Sequence, residues 1–205
     1  MKIAIMQPYF FPYIGYFKLI SEVDTFVFLD DVQYIRRGWM NRNKINHSSP
    51  FYITVPVKKC PRHTLIKDIE TIKGWSHSHL KSFVHVYGKK VISNSIYEYY
   101  KSFENYDLLR PMLCDSIIWM SKYLKLKTKF EYSSNFPSNK RGQERIIDIC
   151  KKMSATTYCN LPNGKSIYSN EEFDKNNIIL KFINTENHKH ISILENCFNG
   201  HTIDL

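Results

Sequence analysis

The sequence predicts an α/β fold with a βαβ-like N-terminal half, a mostly parallel or mixed sheet, and a more helical C-terminal half. Short apolar runs at residues 3–6 and 25–29 are typical of buried strands. Between them, residues 12–23 carry apolar side chains three and four positions apart, as a helix requires. A second alternation of helical and strand-like segments spans residues 142–182. Such alternation is typical of strands joined by crossover helices.

The first strand is predicted to end at Pro8, because proline has no N–H to donate to a sheet. Pro12 suits the first turn of a helix, and this places the helix over residues 12–23. The second strand ends in Asp30 and Asp31. A ligand is expected at the carboxyl ends of these two strands, as in other βαβ units.

The remaining elements follow from local pattern. Residues 32–46 are polar, aromatic and basic without a sustained period, which predicts an ordered functional loop. Strands are predicted at residues 51–57, 65–69, 129–132, 156–159 and 178–182. Helices are predicted at 75–87, 93–103, 106–125, 142–153 and 170–175, with a short one within 192–205.

Length and composition favour one globular domain over residues 1–205. The chain has 205 residues, 43% apolar and 23% charged. It could be divided into a ligand-binding part, 1–73, and a remainder, 74–205. No run of 18 apolar residues suggests a transmembrane segment, and the first apolar run is too short for a signal peptide. We therefore expect a cytoplasmic protein.

Cysteine and histidine spacing argues against a disulfide framework and against a metal site. The five cysteines are odd in number and form no C-x-x-C pair, which fits reduced thiols in the cytoplasm. His77, His79 and His85 fall on a predicted helix with no fourth ligand nearby. No metal is expected.

The basic charge is concentrated in one part of the chain. The formal net charge is +10. Nine lysines and arginines lie between residues 36 and 73, against two acids. Phosphates of a nucleotide or nucleotide sugar, RNA, or an anionic membrane surface would suit this field. A solvated basic face without a partner is the alternative.

The first candidate site is the turn between the first strand and its helix. It combines an amide, aromatic rings and a glycine, from which we select Gln7, Tyr9, Tyr13, Gly15 and Tyr16. A glycine in the first helical turn lets a ligand approach the backbone, and free N–H groups there favour a phosphate. Residues 13–16 have the spacing of the ATP-binding HIGH motif, with tyrosine in place of histidine. A structural turn with aromatics packed inward is the alternative.

The second candidate site follows the second strand. Asp30 and Asp31 point to opposite faces if the strand continues, so at most one enters a shared pocket, and Asp31 is favoured. Polar, cationic and aromatic candidates for ligand contacts come next: Gln33, Arg36, Arg37, Trp39, Asn41, Arg42 and Asn43. The alternative is that both aspartates neutralise nearby arginines.

These segments resemble a known family. Residues 6–17, 30–34 and 37–43 closely resemble the signature of the WbqC-like family, and pieces at 133–134, 142–147, 157–168 and 173–182 agree with it. The resemblance implies a role in bacterial O-antigen, lipopolysaccharide or other surface polysaccharide synthesis. It further implies transfer of glycine onto an amino sugar.

The leading interpretation is an N-acyltransferase that transfers an aminoacyl group, glycine, to the amine of a UDP- or dTDP-linked amino sugar. Arg36, Arg37 or Arg42 would hold the diphosphate, and the sugar or base would stack on Tyr9, Tyr13 or Trp39. Asp31, Asp30 or His63 would take the proton.

The donor stays open at this point, since glycine could be activated with ATP or arrive as glycyl-tRNA. A non-catalytic nucleotide-sugar or glycan binding protein is the alternative function. RNA binding is a third interpretation, because charge and aromatic content fit it. The exact sugar and the oligomeric state are not predicted.

Overall fold

A computed structural model describes residues 1–46, 48–185, 190–201 and 203–205, and it confirms the α/β fold. The strands are β1 (Lys2–Met6), β2 (Thr25–Phe28), β3 (Arg42–Ile45), β4 (Phe51–Thr54), β5 (Lys129–Tyr132), β6 (Thr157–Asn160) and β7 (Ile179–Phe182). Five of them form a parallel sheet in the order β5-β2-β1-β6-β7. The other two, β3 and β4, form a separate antiparallel hairpin.

Over the described residues, seven α-helices connect and cover the strands. They are α1 (Ile14–Ser21), α2 (Ser76–Tyr87), α3 (Ser95–Lys101), α4 (Leu109–Tyr123), α5 (Gly142–Lys152), α6 (Asn170–Asp174) and α7 (Leu194–Asn199). Within the described ranges, none of these helices has the length and apolar character needed to cross a bilayer.

The sheet is buried on both faces. Side chains alternate along a strand, so Ala4 and Phe28 face a large cluster that includes residues of α1 to α4. Ile5 and Val27 face a smaller cluster with residues of α5 and α6. This explains the nearly continuous apolar character of β1 and β2, since parallel strands are usually covered on both sides.

The turn after β1 supplies part of the larger cluster. Phe10, Phe11 and Tyr16 are at most 1% exposed. The Phe11 ring stacks on Tyr100 at 5.5 Å, and Phe10 packs edge-on to Trp75 at 5.9 Å. Part of this turn is therefore packed inward, as in the structural alternative, while its polar residues remain outside the core.

The predicted strand at residues 65–69 is wrong. Ile66–Asp68 is a 3₁₀ turn, and its flanks make only isolated bridges, Gln33 with Leu65 and Glu70 with Leu108. Ile66 and Ile69 are both fully buried. Their spacing of three matches the three residues per turn of a 3₁₀ helix rather than the alternation of a strand.

The predicted loop at residues 32–46 contains a strand that the pattern concealed. In β3, Asn43 and Ile45 are buried whereas Arg42 and Lys44 are half-buried. This alternation of burial is that of a strand, but the buried position 43 is a polar asparagine, so the sequence lacks the alternation of apolar residues that predicts one.

Two helix predictions also differ in detail. Residues 93–103 divide into a 3₁₀ turn and α3, because Asn94 caps α3 by accepting a hydrogen bond of 2.9 Å from the Ile96 N–H. The helix predicted in the tail is α7, and Thr202 lies outside the described residues.

Candidate functional site

A cavity opens at the carboxyl ends of β1 and β6, where the strand order reverses. From β1 the chain crosses to β2 on one side, and later returns through α5 to β6 on the other side. Such a switch point is where open parallel sheets usually bind ligands. The cavity measures about 650 Å³, within the size range of small-molecule sites. Its walls are Ile5, Met6, Gln7, Tyr9, Tyr13, Leu29, Trp39, Asn43, Asn160, Leu161, Asn163, Gly164, Ile167, Tyr168 and His190.

One wall is the turn between β1 and α1, which carries three of the site residues proposed from the sequence. Gln7, Tyr9 and Tyr13 all line the cavity. The Tyr16 hydroxyl donates to the Gln7 carbonyl at 3.0 Å, and the Tyr13 N–H donates to the Tyr9 hydroxyl at 3.3 Å. Burial raises the pKa of Tyr9 and of Tyr13, so both phenols stay neutral. They therefore offer hydrogen bonds without charge.

Gly15 makes room for a side chain of the protein itself. A Cβ added at Gly15 would lie 2.4 Å from Cε2 of Tyr13. The Tyr13 ring thus occupies the space over the start of α1 that the sequence suggested for a ligand. The Tyr13 ring also packs on the His190 ring, with centroids 4.6 Å apart. Neither Gly15 nor Tyr16 is among the residues that line the cavity.

Asn43 fastens the turn after β1 to the β3–β4 hairpin. Its amide donates to the carbonyls of Phe10 at 3.1 Å and Phe11 at 2.7 Å. Ser192 Oγ donates to the same Phe11 carbonyl at 2.8 Å. Phe11 has a positive φ of 41°, a conformation costly for a side chain with a Cβ. These hydrogen bonds hold the strained turn in place beside the cavity.

The opposite wall, at the end of β6, was missed by sequence reasoning. Asn160 is 5% exposed. Its amide nitrogen donates to the Tyr158 hydroxyl at 2.8 Å, and its oxygen accepts from the Leu161 N–H at 2.7 Å. Gly164 lies against it, since an added Cβ would be 3.0 Å from Nδ2 of Asn160. The available signal in the sequence was that Asn160 follows a predicted strand, as Gln7 follows the first one.

The described walls of the cavity are rich in amides and aromatic rings. None of the described lining side chains is a carboxylate, lysine or arginine. Amides (Gln7, Asn43, Asn160, Asn163) and rings provide the polar and stacking contacts instead. Such a lining suits sugar hydroxyls or a base, which combine hydrogen-bonding edges with apolar faces. Among these residues, His190 carries an imidazole, a side chain that can accept or donate a proton in catalysis.

Asp30 lies in a separate buried network at the ends of β2 and β5. It is fully buried and pairs with Arg110 at 2.7 Å. Ser134 donates two hydrogen bonds of 3.0 Å to the Asp30 carboxylate, one from its N–H and one from its Oγ. The Ser133 hydroxyl also lies 3.1 Å from an Asp30 carboxylate oxygen and donates to it. Burial alone would raise the pKa of Asp30, but the Arg110 and serine contacts outweigh it and hold this pKa below its ordinary value.

Asp31 belongs to the same network. It pairs with Arg145 at 2.9 Å, and its Oδ1 shares the single proton of the Ser133 hydroxyl with Asp30. Neither aspartate lines the cavity. Their partners, Arg110 and Arg145, are also not the arginines of residues 36–42 that the sequence suggested.

The remaining candidates lie around the cavity rather than in it. Asn41 donates to Val55 O at 2.8 Å and Gln33 to Arg62 O at 2.9 Å. Arg36 donates to the Cys60 carbonyl, and Arg42 to the carbonyls of Arg37 and Gly38. Arg37 and His63 are exposed. Trp39, in contrast, lines the cavity while remaining 48% exposed at its mouth.

Comparison with known proteins finds a relative and a family that share most of this sequence. An uncharacterized protein of Mycobacterium tuberculosis is 31% identical over 184 residues, which cover 85% of this chain and 78% of that protein. No solved structure matches the chain significantly. The profile of the WbqC-like protein family matches residues 7–201, which include both cavity walls and the buried acidic network. The chain therefore belongs to the WbqC-like family.

Proposed function

We propose that the protein is an N-acyltransferase that moves a glycyl group onto the amine of a nucleotide-linked amino sugar, in bacterial surface polysaccharide synthesis. The observation that carries the proposal is the amide-rich and aromatic cavity at the switch point of the sheet. A sugar nucleotide offers hydroxyls, a base and apolar ring faces, the groups that such walls contact. Family membership supports the pathway.

The reaction requires a proton acceptor beside the amine. The amine nitrogen attacks the carbonyl carbon of an activated glycine, a C–N bond forms, and the C–O bond to the leaving oxygen breaks. We assign the proton lost by nitrogen to His190, which lines the cavity and packs on Tyr13, and His190 would then pass it to the leaving oxygen. Asp31, Asp30 and His63 remain sequence-based candidates that would have to act from outside the cavity walls.

A specific observation favours a second candidate function, a non-catalytic nucleotide-sugar or glycan binding protein. Among the lining residues that the structure describes none is a carboxylate, and Asp30 and Asp31 already bind arginines. Binding needs only the amides and rings. A binding protein would thus tolerate His190→Gln without loss of pathway output.

The decisive experiment is a mass-spectrometric assay of the purified protein with UDP- and dTDP-linked amino sugars and glycine, supplied with ATP or as glycyl-tRNA. We expect a product heavier by one glycyl unit, and its loss in His190→Gln while sugar-nucleotide binding persists. Asn163→Ala, at an exposed cavity position, should weaken binding. Binding without product across the sugar panel would instead establish the second candidate.

A further inference from the structure

The β3–β4 hairpin has two chemically different faces. Arg42 pairs with Thr54 and Lys44 with Tyr52 across the hairpin, so these four side chains share one face. The intervening Asn43, Ile45 and Ile53 are buried on the other face. Asn43 lines the cavity, whereas Arg42, Lys44 and Tyr52 point away from it. With Trp39, these three form what we call the hairpin outer face.

Cations and aromatic rings interleave on the hairpin outer face. The Arg42 guanidinium carbon lies 4.5 Å from the centre of the Tyr52 ring. The Lys44 ammonium lies 5.4 Å from the Tyr52 ring and 5.9 Å from the Trp39 ring. The two rings are 5.9 Å apart, and their exposures are 44% and 48%. Large rings this exposed remain available for stacking.

The positive charge of this face is not neutralised locally. Over the residues that the structure describes, neither Arg42 nor Lys44 forms an ion pair with a carboxylate. The arginines just before the hairpin, Arg36 and Arg37, are also exposed and cationic. The face therefore offers stacking surfaces within a positive field, the combination that binds single-stranded nucleic acid.

Trp39 joins this face to the cavity. Its indole contacts the cavity space and also packs near Tyr52 on the outer face. A flexible ligand lying on the outer face could therefore place its end in the cavity mouth without crossing any other element.

We infer that the hairpin outer face binds the single-stranded 3′ end of an aminoacyl-tRNA, with bases stacked on Tyr52 and Trp39 and phosphates near Lys44 and Arg42. The inference rests on the proposed function and names its acyl donor: the esterified amino acid at the 3′ terminus would enter the cavity. The continuity of this face with the cavity through Trp39 favours a single strand whose end can enter the cavity, whereas a membrane surface would cover the face without reaching the cavity.

The test is fluorescence anisotropy of the full-length protein with a labelled single-stranded RNA of about ten nucleotides ending in CCA. We expect binding that weakens steeply with salt. Tyr52→Ala and Lys44→Ala should each weaken it about tenfold. Tyr123→Ala is the matched control for the ring, since Tyr52 and Tyr123 are equally exposed at 44%. Lys151→Ala, at an exposed position on α5, removes the same charge elsewhere.

Three outcomes would overturn the inference: no RNA binding, equal weakening by the control variants, or binding to phosphatidylglycerol vesicles rather than RNA that depends on Tyr52 and Lys44. The result also separates the two proposals. Glycyl transfer supported by ATP and glycine without RNA would leave the proposed function standing and remove this inference. RNA binding by the hairpin outer face without any glycylated product would count against the proposed function while still showing that this face binds RNA.

Discussion

Two polar clusters lie along the same edge of the sheet, yet they differ in what their polar groups bind. At the ends of β2 and β5, the acidic network of Asp30, Asp31, Arg110, Arg145, Ser133 and Ser134 is closed by its own ion pairs and hydrogen bonds. At the ends of β1 and β6, amides and phenols face an open cavity. A polar side chain at a strand end is thus a candidate for binding a ligand only when its charge and hydrogen-bonding groups are not already paired with neighbouring elements of the protein.

The largest effect on stability is expected for Asp30→Asn, which removes a buried charge from the acidic network. Removing one partner of a buried ion pair leaves Arg110 and the serine donors poorly matched, so we expect a loss of about 3–5 kcal/mol in the free energy of unfolding. Urea denaturation measures it. Asp107→Asn removes an exposed pair with Lys73, where Asp107 is 86% exposed, and should change stability by no measurable amount. Ligand affinity of the folded Asp30 variant should be unchanged; a large loss would place Asp30 in the site.

A pH titration distinguishes the acidic network from His79, a buried histidine that contacts the β3–β4 hairpin beside the cavity. His79 accepts from the Thr54 N–H at 3.3 Å and contacts the Tyr100 hydroxyl at 2.8 Å. It thereby supports the hairpin beside the cavity. Burial lowers the pKa of His79 to about 4. Below its unfolded value of about 6.5 the unfolded chain binds the proton more tightly, so stability should fall by up to about 3 kcal/mol between pH 6.5 and 4.

The acidic network responds in a different window. The pKa of Asp30 is held below its ordinary value of 3.8, so its contribution is present above that pH and is lost as pH falls further. Urea denaturation at pH 7, 5.5 and 4.5 should therefore report mainly His79. In His79→Gln this dependence should become shallower. An unchanged slope would show that other groups control acid sensitivity.

Gly15→Ala tests the packing of the cavity side of α1. The new methyl would collide with the Tyr13 ring at 2.4 Å, and overpacking should cost about 1–3 kcal/mol in the free energy of unfolding. In a Tyr13→Ala background the ring is gone, so adding Gly15→Ala should cost nothing further. Thermal denaturation of both single variants and the double variant measures the coupling. Additive losses would contradict the contact.

The smallest stability effect, about 1 kcal/mol or less, is expected for Gly164→Ala. Its Cβ would stand 3.0 Å from Nδ2 of Asn160 and 3.3 Å from the Phe182 ring, so the Asn160 amide must shift slightly. Calorimetric titration with UDP- or dTDP-linked amino sugars should show weaker binding. Asp31→Asn, a change in the acidic network, should leave that affinity unaltered. An equal loss of affinity in both variants would contradict the view that only the cavity binds the ligand.

Sequence reasoning found one wall of the cavity and missed the other. Gln7, Tyr9 and Tyr13 stand close together in a short turn after the first strand, so local pattern was sufficient. Asn160 joins them only because β6 pairs with β1, and pairing between distant strands is not written in local periodicity. The Asp30 partners were equally hidden, since Arg110 lies on α4, 80 residues away.

The pairing of β1 with β6 also has a consequence for how the protein is made. The Tyr158 hydroxyl donates to the Ile5 carbonyl across 153 residues of sequence, and the two cavity walls are about as far apart along the chain. A ribosome would have synthesised β1, α1 and β2 long before β6 emerged. During that interval the central strand has one edge unpaired, and contacts of such long range form slowly. The binding cavity is thus among the last features to assemble, and nascent chains short of β6 would depend on chaperones to keep β1 from pairing elsewhere.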